Sequence, residues 1–71
     1  MDYKKIELIK KLYPKGTKIE LDYMDDPQAP PSGTRGIVEH VDDIGQIHVR
    51  WENGNGLALN TEIDEFHIIR E

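Results

Sequence analysis

The chain has no cysteine among its 71 residues. That excludes disulfide staples and thiolate zinc sites, and it makes a cytoplasmic home the simplest expectation. Long hydrophobic runs are missing too. No stretch approaches the ~20 apolar residues of a membrane helix, so no membrane partner is expected. The apolar residues near the N-terminus are broken by Lys10 and Lys11, unlike a signal peptide. Ser32 is the only serine, and it stands in a proline-rich stretch with no histidine near it in sequence, so no nucleophile–base pair is legible. No glycine-rich phosphate loop links a strand-like run to a helix. These gaps point away from an enzyme and from any cofactor. Aromatics are scarce: Tyr3 and Tyr13 go with a helix, Trp51 and Phe66 with a core, and only Tyr23 is left to stack on a ligand.

Positive charge is scarce outside one region. The net charge is −5. Residues 1–18 hold six Lys against Asp2 and Glu7, whereas residues 19–71 hold three Arg against twelve acids. An acidic body binds phosphate poorly, because nucleic-acid affinity comes mostly from Lys and Arg neutralising phosphates. Duplex nucleic acid is therefore not an expected partner at physiological salt. The Lys-rich end leaves open an accessory nucleic-acid contact, and the acidic body leaves open a nucleic-acid mimic or inhibitor from a mobile element.

The pattern that is present is mostly β. Before it, Asp2–Leu12 reads as a short helix, with Asp2 as N-cap and Tyr3, Ile6, Ile9 and Tyr13 along one face. Pro14 stops it. A helix of about three turns does not persist alone in water, so it must dock, frays, or pairs with another copy as a weak homodimer. Thr17–Tyr23 alternates as a strand, with Ile19, Leu21 and Tyr23 on one side. Arg35–Val41 and Gln46–Glu52 form a hairpin around Asp42-Asp43-Ile44-Gly45, a type I turn with Gly45 left-handed. That turn sets Val41 opposite Ile47. Continuing without interruption would set Val38 against Arg50, on the wrong face, so an extra residue near Glu39–His40 is inferred. His40 and His48 then meet on the outer face. Two imidazoles are half a zinc site with no third ligand evident, so no metal is assigned.

An odd loop at Asn53-Gly54-Asn55 would set Trp51 opposite Leu57 and Val49 opposite Leu59, making Leu57–Leu59 a short strand. Asn60–Glu65 reads as one helical turn with Ile63 inward. Phe66–Ile69 closes the chain with Phe66 and Ile68 on one face. A barrel of five strands can be built outward from the central hairpin, with residues 1–13 as an amphipathic helix and 14–71 as the β domain.

One connection is longer than a hairpin requires. Met24–Gly33 reads MDDPQAPPSG and holds three of the four prolines. Loops this long are often functional, and proline lowers the entropy cost of binding. Tyr23, Met24, Asp25, Asp26, Pro27, Gln28, Pro30 and Pro31 are the candidate binding residues. The acid pairs Asp25-Asp26 and Asp42-Asp43 lack the alternating spacing of a calcium loop and suit ordinary turn chemistry.

Four stretches together resemble a small family of bacterial and phage domains without assigned function: YPKGT at Tyr13–Thr17, MDDPQAPPSGTRG at Met24–Gly36, VDDIGQIHVRWENG at Val41–Gly54 and EFHII at Glu65–Ile69. The segments Gly36–Val41 and His48–Gly54 are also similar to SH3-like domains of the mind-bomb/HERC2 type, with G-x-V followed by V-x-W-x-N-G. The second resemblance implies a five-stranded SH3-like barrel used for protein recognition. The expectation is a mainly β, non-catalytic protein-interaction module with an unidentified protein partner.

Overall fold

The computed structural model describes residues 2–70, in which one helix precedes four strands. Helix α1 is Tyr3–Leu12, and the strands are β1 (Lys18–Tyr23), β2 (Arg35–Val41), β3 (Ile47–Trp51) and β4 (Glu65–Ile68). Asp2 caps α1 as its residue type predicts, accepting from the Lys5 backbone N–H at 3.1 Å. Lys10 and Lys11 lie in the last turn, where cations favour the helix dipole.

All strand pairs are antiparallel, in the order β3-β2-β1-β4. The β2–β3 hairpin follows the predicted register. Val41 pairs with Ile47, Val38 with Val49 and His40 with His48, and the extra residue falls between Val38 and His40. Gly45 has φ +86°, and its N–H donates to the Asp42 carbonyl at 3.1 Å. Asp42 also caps the turn through its carboxylate, accepting from the N–H groups of Ile44 at 3.1 Å and Gln46 at 2.9 Å.

The expected five-stranded SH3-like β-barrel does not form. Closure would require the two edge strands to pair with each other, yet β3 and β4 lie at opposite edges of an open sheet. The segment 57–59 makes no strand. It contributes one bridge, Ile47 to Leu59, two residues further along than the predicted pairing of Val49 with Leu59. Asparagine side chains widen that loop. Asn53 Oδ1 accepts from the Asn55 N–H at 3.0 Å, and Asn55 Oδ1 accepts from the Leu57 N–H at 2.8 Å. The chain then turns at Asn60, whose carbonyl accepts from the N–H groups of Ile63 and Asp64 at 3.2 and 2.9 Å. Ile63 ends up exposed, not inward. Phe66 and Ile68 are delivered to the far edge, beside Leu21 and Ile19.

With the sheet open, its apolar face needs another cover, and α1 supplies part of it. Ile6 and Ile9 are buried, and Ile9 joins Ile19, Leu21, Val38, Ile47, Val49, Trp51 and Leu59 in one cluster. Tyr13, Met24, Val41, Phe66 and Ile68 pack around it. The helix crosses the 42–45 turn, where a Cβ at Gly45 would stand 3.3 Å from Ile6. Ion pairs of Lys5 with Glu62 and of Lys10 with Asp43 tie its rim to the body. The result is a slab of 31 × 29 × 17 Å, the two-layer solution for an amphipathic sheet.

Candidate functional site

The apolar residues of β1 fall inward at Ile19 and Leu21, so Lys18, Glu20 and Asp22 fall on the outer face. A bulge after Leu21 breaks the alternation, which turns Tyr23 outward, half exposed, opposite Glu65. Backbone pairing then builds a polar row across the sheet. Arg35 on β2 stands opposite Glu20, and His67 on β4 stands opposite Glu20 from the other side. Arg35 Nε donates to Glu20 Oε1 at 3.3 Å. His67 Nδ1 lies 2.9 and 3.0 Å from the two Asp22 oxygens, and its Nε2 lies 3.5 Å from Glu20 Oε2. These three are the described residues that offer a histidine nitrogen and two carboxylates close enough to share one ion. Sequence reading missed this group, since Asp22 and His67 are 45 residues apart. The one available signal was that 20, 22 and 67 fall on the outer phase of two strands.

The hydrogen bond that His67 donates to Asp22 raises its pKa above the ordinary 6.5; desolvation and the charge of Arg35 oppose this, and the charges of Asp22 and Glu20 add to it. The stability this contributes is fully present below the ordinary value and is lost as pH rises through the raised one. We expect His67 to titrate above 6.5 when followed by NMR, and Asp22→Asn to bring it down toward that ordinary value. A wild-type His67 titrating at or below 6.5 would remove the ion pair from the description.

The second histidine pair lies on the β2–β3 hairpin. The rings of His40 and His48 stack at 4.3 Å with 8° between their planes, on the face predicted for them. Stacked rings do not converge on a shared ion. His48 Nε2 instead meets Asp42 Oδ2 at 2.8 Å. Burial alone would raise the Asp42 pKa, but the bonds from His48, Gln46 and Ile44 outweigh it and hold the carboxyl below its ordinary 3.8.

The residues of the 24–33 connection divide between inside and outside. Pro30 is buried and Met24 half-buried against the core, while Asp25, Asp26, Pro27, Gln28 and Pro31 are exposed beside Tyr23. Asp26 Oδ1 accepts from the Gln28 N–H at 2.8 Å, and its carbonyl accepts from the Ala29 N–H at 3.0 Å. Asn55 Nδ2 donates to the Gln28 carbonyl at 2.6 Å, joining this loop to the one after β3. Asp26 is therefore a capping residue as well as an exposed one.

An open hollow of about 510 Å³ lies on the outer face between Lys18, Ile37 and Arg50. Its width and cation-rich rim are not those of an enclosed pocket for a small substrate.

Residues 2–69 match the family described as Domain of unknown function (DUF4314). The chain belongs to the DUF4314 family. No curated protein and no solved structure matches it. Among the described residues of this DUF4314 domain, no helix is long and apolar enough to cross a membrane.

Proposed function

We propose that the domain is a small, non-catalytic protein-interaction module, with a partner seated along β4 and reaching past Tyr23 onto the exposed residues of the 24–33 loop. The open edge of the sheet carries this reading. Among the described helices and strands, only β1 lies beside β4. An uncovered edge is a ready template for an extended segment of another protein. Tyr23, on the neighbouring strand β1, stands opposite Glu65 at the start of β4, and the exposed loop residues follow it directly. The loop is held by Asp26 and Asn55 before any partner arrives, which lowers the entropy cost of binding.

The disposition of the acids favours this reading over nucleic-acid mimicry, which needs a ridge of unpaired carboxylates. Asp2, Asp26, Asp42, Glu52 and Asp64 accept from backbone N–H groups. Glu20, Asp22, Glu39, Asp43 and Glu62 each face a basic side chain. The Lys-rich helix is likewise tied down by two of these pairs, which disfavours a free basic arm.

A photo-crosslinking side chain at Gln28 should trap one adduct of defined mass in cells, and the same group at Lys15 should not. Asp25→Ser should weaken the adduct while changing stability by no more than about 0.5 kcal/mol, the usual range for an exposed surface change. Identical adducts from both positions, or none from Gln28, would refute the assignment.

A further inference from the structure

We propose that Glu20, Asp22 and His67 bind one divalent transition-metal ion on the outer face of the sheet. The strands position the donors independently of any ligand. Glu20 and Asp22 share a face of β1, and His67 is placed opposite Glu20 by the β1–β4 register. One ligand atom from each residue lies within 4.8 Å of the other two. Donors on a common ion with bonds of about 2.0–2.3 Å stand roughly 3–3.7 Å apart. Asp22 already stands 2.9 Å from His67 Nδ1, whereas the 3.5 Å contact of Glu20 is to the other ring nitrogen, Nε2, so Glu20 or the imidazole must turn for one nitrogen to share an ion with both carboxylates. Small rotations of partly exposed side chains complete the fit.

Glu20 uses its two oxygens differently. Arg35 holds Oε1, and Oε2 faces His67. Arg35 thus orients a ligand from behind, as outer residues at metal sites commonly do. Its charge weakens cation binding, but two carboxylates still leave the group net negative toward an ion. Histidine among the donors selects the class of ion. Imidazole suits zinc, nickel, cobalt and copper, whereas calcium and magnesium prefer oxygen alone. Three protein donors leave at least one position for water or for a donor from a partner.

The competing account is that His67 merely neutralises two neighbouring carboxylates. Calorimetric titration of the full chain separates the two, with zinc chloride in one arm and magnesium chloride in the other, near pH ~8, above the ordinary imidazole pKa. We expect saturable one-to-one zinc binding with a Kd below about 100 µM and none for magnesium in that range. His67→Gln and Asp22→Asn should each weaken zinc binding at least ~10-fold, and His48→Gln should leave it unchanged. NMR of the wild-type chain with cobalt chloride gives a readout that needs no variant. Signals of His67, Glu20 and Asp22 should be perturbed first, ahead of those of His40 and His48. Absence of saturable zinc binding overturns the proposal. So does binding that survives His67→Gln, or perturbation centred on the His40–His48 pair. None of these outcomes bears on the crosslinking at Gln28, so the site and the interaction reading stand or fall separately.

Discussion

Trp51→Ala is expected to unfold the domain. Trp51 is among the largest fully buried side chains, and its Nε1 donates to the Leu57 carbonyl at 2.9 Å. It alternates with Ile47 and Val49 on the inner face of β3, so the indole fills the centre of the cluster and also anchors the wide loop that follows. Truncating a buried aromatic to alanine costs about 3–5 kcal/mol. A single core of this size rarely supplies more than about 3–5 kcal/mol in total. Circular dichroism at room temperature should therefore show loss of most folded signal. Trp51→Phe keeps much of the apolar volume but gives up the bond to Leu57, and it should fold with a lowered melting temperature. A Trp51→Ala chain melting within a few degrees of wild type would show that the core does not depend on the indole.

The second large effect is expected at Gly36, where the gain of one methyl group is the damage. Gly36 pairs with Trp51 across the β2–β3 ladder, on the buried face. A Cβ there would stand 2.5 Å from Val49 Cγ1, 2.9 Å from Trp51 Cε3 and 3.1 Å from the Arg50 carbonyl oxygen. The first two contacts are with packed core side chains and the third is with backbone, so none yields cheaply. Overpacking of this kind costs about 1–3 kcal/mol. At roughly 4–8 °C per kcal/mol for a domain of this size, thermal denaturation of Gly36→Ala should show a clear drop. Gly54→Ala meets no such contact and tests only the left-handed backbone, so it should cost less. Equal losses at the two positions would mean that close packing over Gly36 is not the reason glycine stands there.

Both predictions rest on the hairpin, the part most legible in the sequence. The Asp42–Gly45 turn sets a register, and Val38 and Val49 are buried only if one residue is skipped. That conflict between alternation and turn length revealed the bulge, and with it the stacking of His40 on His48. The same method failed at the next loop. There the pairing of Leu57 and Leu59 with β3 was inferred from burial alone. Asn53 and Asn55 instead bond locally to backbone and absorb extra residues, so only Leu59 reaches the ladder. Ile63 failed for a related reason: the turn around Asn60 is held by Asp64 and by backbone bonds, and it needs no apolar anchor.

The candidate sites divide along the same line. The 24–33 loop was visible as a proline-rich interruption between two strands. The cap by Asp26 is the ordinary turn chemistry expected of it, since its bonds to Gln28 and Ala29 are local, whereas the burial of Pro30 was not visible. Glu20, Asp22 and His67 were individually visible as outward positions, but nothing local linked β1 to β4.

By itself, then, the amino-acid sequence determined the capped helix, the phase of the four strands except at Tyr23, which a second bulge turns outward from the side expected for it, the β2–β3 turn and the bulge within that hairpin. Each follows from interactions between residues a few positions apart, or from the two-residue period of one strand. Only the tertiary structure decided that the sheet stays open, that α1 covers part of its apolar face, and that β4 lies beside β1 with His67 against Glu20 and Asp22. The physical reason is that closing a barrel and laying a helix across an open sheet bury nearly the same apolar residues. The alternation that marks those residues as buried is identical in both cases, and the choice depends on pairing between segments far apart in the chain.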